Sequence, residues 1–360
     1  MRLGIFHRKK KVILNKIKIY LSGFLFLYRK VVRPLPEKIE KIVVIHNNKK
    51  LGDLIVFSSI YRELKSRNIH LTIITDPRSA LFLRENKKID DIIIKDDDGF
   101  NSLWKLRKKM RGNHYDLLID PFETLPNYRH AILLLSIKAS HVLGFDKWYH
   151  RYYDTFDRHD ENLQEHISTR VLSIMKYVDK NCNSLLCGRY DLPISSALEY
   201  KVDKFVNNQK IIILHAFGAK KICCLSNDQI HSVYNYIRIK FPDSRIIFTG
   251  LPEDLRRIDI DGAEFSPFKT FSETIALTKA AYLLVSVDTA LIHVAAAFTI
   301  PTVAIYPKAK NPYYPSVLVW GPNNKKAVTV VSDGFFVNEL PEQPIQQAID
   351  KIIPVLKSPH

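Results

Sequence analysis

Apolar residues in this chain fall in short, nearly continuous runs, separated by glycine turns and amphipathic stretches. Residues 41–45 (KIVVI), 71–75 (LTIIT), 91–94 (DIII) and 115–120 (YDLLID) read as strands. A turn at 47–52 with a helix over 53–65 follows the first, and a charged helix at 102–111 precedes the last. The alternation restarts with strands at 210–214, 245–249, 281–286 and 302–306 and helices at 227–240 and 289–298. Runs that apolar suit strands covered on both faces, and their alternation with helices predicts mostly parallel sheets. The fold class is therefore α/β, with two Rossmann-like doubly wound domains at 41–190 and 205–340. The polar stretch 185–205, holding Pro193, reads as the linker, 121–160 as variable loops, and 341–360 as a closing segment helical over 341–357.

The first 36 residues break this pattern. They carry ten Lys or Arg and no acid, with apolar residues between them. The apolar run 20–28, almost without a break, is shorter than the ~20 residues a spanning helix needs, and Lys16 and Lys18 interrupt any signal-peptide core. A basic amphipathic helix over 12–32, closed by Pro34 and Pro36, fits an anionic membrane surface. The same pattern also fits a helix packed on the protein's own core.

Length and charge sharpen the picture. A chain of 360 residues accommodates two domains, and its net charge of +17 favours anionic partners. Cys182, Cys187, Cys223 and Cys224 form neither a zinc framework nor a disulfide scaffold, which points to a reducing compartment. No G-x-G-x-x-G follows a strand and no G-x4-G-K-[ST] occurs, so dinucleotide oxidoreductases and P-loop enzymes lose their main support. Basic residues on no recognisable nucleic-acid module leave nucleic acid without a motif.

In doubly wound sheets ligands bind outside the carboxyl ends of the strands, so the loops there hold the candidate chemistry. Gly52-Asp53 ends the first loop; Asp53 suits a general base, and equally a helix N-cap. Asp288 and Thr289 open the helix before Pro301, whose unpaired N–H groups suit a diphosphate. His293 lies one turn further in, either as a phosphate donor or as a core histidine. Gly218 follows a strand and precedes Lys220 and Lys221, a backbone-plus-lysine arrangement for leaving-group phosphates.

Taken in order, these loops resemble glycosyltransferase family 9, the ADP-heptose lipopolysaccharide heptosyltransferases. The resemblance runs over about 41–355. It is carried by Gly52-Asp53 with Leu64-Lys65, YDLLID at 115–120, TFSETIALTKAA at 270–281, VSVDTALIHVAAAFTIPTVAIYP at 285–307, and WGPNN at 320–324. It implies the GT-B fold and inverting transfer without a metal or other cofactor. The donor would be a nucleotide-diphosphate sugar, ADP-heptose foremost, and the acceptor a lipid-linked anionic saccharide. The enzyme would be cytoplasmic, peripheral on the inner membrane. By position, Asp53 becomes the base, and Asp288, Thr289, Ala290 and His293 line the donor diphosphate. Gly218, Lys220 and Lys221 assist the leaving group, Glu253 holds the ribose, and Gly52 and Arg129 belong to the acceptor side. A non-catalytic nucleotide-sugar binder and a nucleotide-sugar epimerase of GT-B shape remain the alternatives. The chain departs from the family pattern at Ala290 and Thr299, both glycine in the family, and at 223–226, where CCLS replaces Lys-Arg-Trp-Pro.

Overall fold

The computed structural model describes residues 14, 17, 32–46, 50–97, 99–121, 128–145, 152–157, 165–182, 189–308 and 316–357. The chain divides into two compact units: 1–50, 60–162 and 173–183 form the first, and 51–59, 163–172 and 184–360 the second. The division is thus discontinuous, unlike the continuous segments read from the sequence. The basic helix expected over 12–32 lies outside the described residues apart from Leu14 and Ile17, which are helical and exposed. Among the described residues no helix is long and apolar enough to cross a membrane.

The first unit is built on six parallel strands: β1 (Lys41–His46), β2 (His70–Thr75), β3 (Asp91–Ile94), β4 (Tyr115–Asp120), β5 (Ala139–Phe145) and β6 (Thr155–Asp157). Their order is β3-β2-β1-β4-β5-β6, the order of a Rossmann sheet. Val43, Ile45, Ile74, Ile93 and Leu118 form a core with Leu103, Leu106, Ala131 and Leu134 from helices laid on the sheet. The stretch 121–160 is accordingly more than variable loops. It contains the helix Tyr128–Ser136 and two strands, and Gly144 on β5 admits the Tyr153 ring where a Cβ would come within 2.4 Å of it.

The second unit repeats the plan with β7 (Lys210–His215), β8 (Ser244–Phe248), β9 (Glu264–Phe265), β10 (Leu283–Val287), β11 (Thr302–Tyr306) and β12 (Ala327–Val331). The order β12-β11-β10-β7-β8-β9 is the same Rossmann order, and every pairing is parallel. The closing helix Glu342–Lys357 sets Ile345, Ala348, Ile349 and Ile352 against Ile230, Val233 and Ile237 of the helix Asn227–Lys240. Each such fully buried aliphatic side chain contributes about 1.5–3 kcal/mol. The expected linker is also corrected: Ser196–Val206 is a helix, capped by Ser195 accepting from the Leu198 N–H and ended by left-handed Asn207. Its polar composition reflects one fully buried side chain, Val202, with Leu198, Glu199, Phe205 and Val206 half-buried and the rest exposed.

Candidate functional site

In the second unit the strand order reverses between β7 and β10, and the loops leaving their carboxyl ends meet. Gly218 belongs to a loop closed on itself. Its N–H donates to the Cys223 carbonyl at 3.0 Å, Leu225 N–H donates to Ala216 O at 3.0 Å, and Phe217 bridges Cys224. A Cβ on Gly218 would lie 2.6 Å from Cys223 Cβ, 2.8 Å from Cys223 O and 3.3 Å from Asp288 O. Only glycine lets this loop press on the backbone that opens the helix Ala290–Ala297.

That helix starts at Thr289, whose Oγ1 accepts from the Leu291 N–H at 3.4 Å. Ser286 Oγ donates to Val287 O at 2.8 Å and stands 3.1 Å from Thr289 Oγ1, so the Thr289 hydroxyl donates to Ser286. The cap is therefore oriented by a fixed chain of hydroxyls. The Thr289 and Ala290 N–H groups have no partner among the described residues, leaving donors at the positive end of the helix.

Asp288, half-buried, stands beside them. Burial raises its carboxyl above the ordinary range, opposed by the Lys220 ammonium. Lys220 is exposed, and its charge opposes the effect of burial on both Asp288 and the buried Cys223 thiol. Burial, and then Asp288, push the Cys223 thiol up to about 12. Lys221 is exposed and opens the 3-10 turn Lys221–Cys223.

His293 is buried at 5% exposure, and its Nδ1 has no hydrogen-bond partner among the described residues. Its ring meets Tyr190 edge-on at 6.0 Å and Trp320 at 6.2 Å. Burial, with a smaller contribution from His166, lowers its pKa to about 3. The imidazole is therefore neutral at physiological pH: a hydrogen-bonding group and not a cation. His166 carries its proton on Nε2, donating to Gly321 O at 3.0 Å, because its Nδ1 accepts from the Ser168 N–H at 3.1 Å. With the Ile167 N–H donating to Val319 O at 2.8 Å, this fixes the 319–321 segment that carries Trp320.

Gly52 reaches the same place. It opens the helix Leu51–Ser66, whose first nine residues group with the second unit. A Cβ on it would lie 3.3 Å from His293 Cδ2 and 3.8 Å from Ala290 Cα. The helix begins at Leu51 after an extended Lys50 that makes no side-chain cap, so Asp53 is a first-turn residue and not the N-cap. It is buried at 6% exposure, next in sequence to the glycine that touches His293. Of the remaining candidates, Glu253 is exposed on the short helix Pro252–Leu255, and Arg129 is exposed on Tyr128–Ser136 in the first unit.

Sequence reasoning missed Tyr190, Trp320 and His166. Trp320 had a signal in the WGPNN motif, whereas Tyr190 and His166 stand in stretches without a local pattern.

Two Rossmann-ordered units, one presenting a bare helix start with a glycine-lysine loop and a neutral histidine, define the architecture of a GT-B glycosyltransferase. Comparison with known proteins makes the class specific. Residues 255–350 match the model of glycosyltransferase family 9 (heptosyltransferase). Over 354 residues the chain is 42% identical to a protein of Escherichia coli (strain K12) provisionally named lipopolysaccharide heptosyltransferase 4, covering 98% of both chains. It shares its fold with the family 9 glycosyl transferase of Veillonella parvula DSM 2008: TM-score 0.72, 18% identity, 89% of this chain and 100% of that one. It also shares it with the E. coli ADP-heptose lps heptosyltransferase II: TM-score 0.68, 16% identity, 88% and 100%. The chain belongs to glycosyltransferase family 9, the heptosyltransferase family.

Proposed function

We propose that this enzyme transfers heptose from ADP-heptose to a lipopolysaccharide or lipooligosaccharide core acceptor, with inversion and without a metal. The acceptor hydroxyl attacks the anomeric carbon, its proton passes to the Asp53 carboxylate, and the bond from that carbon to the diphosphate oxygen breaks. ADP leaves with the negative charge. The N–H groups of Thr289 and Ala290 and the lysines Lys220 and Lys221 receive that charge, so positive potential builds where it develops. Asp288 and Gly218 hold those two elements together, and His293 hydrogen-bonds the diphosphate as a neutral donor. Glu253 is assigned to the ribose, and Gly52 and Arg129 to the acceptor side.

The observation that carries this reading is the packing of Gly52 on His293 and Ala290. It brings the backbone of the residue before Asp53 close to the helix start that would hold the leaving group, which supports pairing the two in one reaction. Support for the donor comes from the name of the E. coli relative of the same fold, an ADP-heptose lps heptosyltransferase. The basic first 36 residues support a cytoplasmic enzyme peripheral on the inner membrane. The decisive test is Asp53→Asn. Heptosyl transfer to a core acceptor falls at least 10²-fold while ADP binding by calorimetry stays within about twofold of wild type. Unchanged transfer refutes the base assignment. Isomerised sugar with no acceptor product would make the enzyme an epimerase.

A further inference from the structure

The helix Phe100–Lys109 in the first unit buries Leu103 and Leu106, with Met110 just beyond it, in the core beside Tyr115 and Leu118. Its other face carries a different message. Trp104 is 60% exposed, an unusual position for the largest apolar side chain. Lys105, Arg107, Lys108, Lys109 and Arg111 around it are all exposed. None of these five cations has an ion pair among the described residues, and Lys108 lies 5.9 Å from the centre of the Trp104 ring. The neighbouring acids Asp96 and Asp97 sit beyond the opposite end of the helix, where the Asp97 carboxylate is occupied by the Gly99 N–H.

Basic residues in the last turn complement the helix dipole, which accounts for cations there but not for the tryptophan. A soluble surface gains little from an exposed indole beyond the weak cation–π contact with Lys108. An anionic bilayer gains more: the ring enters the headgroup region while unpaired lysines and arginines meet lipid phosphates. We infer that the face formed by Trp104, Lys105, Arg107, Lys108, Lys109 and Arg111 is a docking surface for an anionic lipid bilayer. It is distinct from the basic segment 1–36 and sits on the first unit, which also carries Arg129. The inference deepens the peripheral-membrane part of the proposed function and does not depend on which sugar is transferred.

The test uses the full chain with vesicles of phosphatidylcholine, with and without phosphatidylglycerol. Wild type sediments with the phosphatidylglycerol vesicles, and Trp104→Ser and the double variant Lys105→Glu/Lys108→Glu bind them at least fivefold less. Because these positions are exposed, folding is checked simply by unchanged melting temperature. With brominated phosphatidylglycerol, a component of tryptophan emission is quenched in wild type and missing in Trp104→Phe. Variant binding equal to wild type, or identical quenching in Trp104→Phe, overturns the inference. So does loss of self-association with vesicle binding intact, which would make this face an interface between copies of the chain. Transfer to a deacylated, soluble acceptor separates the two readings. Its absence in wild type refutes the heptosyl proposal and leaves the lipid result standing, whereas its loss in these variants alone overturns the lipid assignment.

Discussion

Gly52→Ala is the most informative single change, because structure and activity are expected to part company there. Gly52 has an ordinary helical backbone, outside the left-handed region, so alanine is conformationally welcome. Replacing a helical glycine gains about 0.5–1 kcal/mol. The added methyl meets His293 Cδ2 at 3.3 Å. Carbon atoms prefer about 3.5–4.0 Å, so the two must separate by a few tenths of an ångström. The imidazole cannot simply swing away, since Tyr190 and Trp320 stand edge-on to it at 6.0 and 6.2 Å. Overpacking of this size costs about 1 kcal/mol, so the two effects nearly cancel and the melting temperature moves by less than about 4 °C. Transfer is more sensitive, because a misplacement of about 1 Å costs up to 10²-fold. A shift of a third to half that predicts about a tenfold loss in kcat/KM, or about 1.4 kcal/mol of transition-state stabilisation. Steady-state heptosyl transfer and calorimetric melting of the same preparation test the balance. Wild-type kcat/KM at an unchanged melting temperature would show that the register of Gly52 against His293 does not matter to the chemistry. A collapse of stability would show that the ring has no room at all.

Three further outcomes follow from the same geometry. Thr299 occupies a left-handed backbone with φ of 53° at the end of the helix Ala290–Ala297; Thr299→Gly removes a strain of about 1–2 kcal/mol, partly offset by chain entropy, and raises the melting temperature by roughly 2–4 °C in differential scanning calorimetry. Gly218→Ala drives a methyl to 2.6 Å from Cys223 Cβ and 2.8 Å from Cys223 O, so it destabilises by about 1–3 kcal/mol and weakens ADP binding in isothermal titration. His46 in the first unit and His293 in the second are both held by burial at a pKa of about 3, against an ordinary value of 6.5. The unfolded chain then binds the extra protons, so stability is complete above about pH 6.5 and declines on acidification by about 1.4 kcal/mol per pH unit for each of these histidines, with His215, which burial lowers to about 4, adding to the decline of the second unit; urea midpoints that do not change between pH 7 and 5 would contradict this.

The sheets were legible in the sequence because both faces of their strands are covered. Residues 42–45 and 211–214 are buried throughout, which leaves a continuous apolar run as their signature. Elements held by tertiary context left no such trace. β6 and β9 are too short to show a period, and the helix Ser196–Val206 follows Pro193 with a single buried side chain to mark it. Boundaries drifted for a related reason. The strand read as 281–286 begins at Leu283, since Ala281 N–H still bonds to Thr278 O in the turn after the preceding helix. The departures from the family pattern were legible as letters but not as consequences. Threonine at 299 keeps the left-handed backbone that glycine would take without strain, while Ala290 leaves the helix start intact.

The sequence nominates candidate site residues loop by loop and is silent on how they pack together. Asp53, Asp288 and His293 were nominated as ionisable residues, yet burial holds His293 neutral and raises Asp288. A neutral imidazole between two aromatic rings adds no charge to a bound diphosphate, so the positive complement must come from elsewhere. In the proposed reaction it comes from the N–H groups at 289 and 290 and from the ammonium that already acts on Asp288, that of Lys220. The division of labour has a physical logic. Helix donors and a lysine at the rim meet charge as it develops, whereas a buried histidinium would attract the diphosphate equally before and after the bond breaks. Binding both states alike lowers KM without raising kcat, so a histidine kept uncharged costs the enzyme little and leaves its role as one of position.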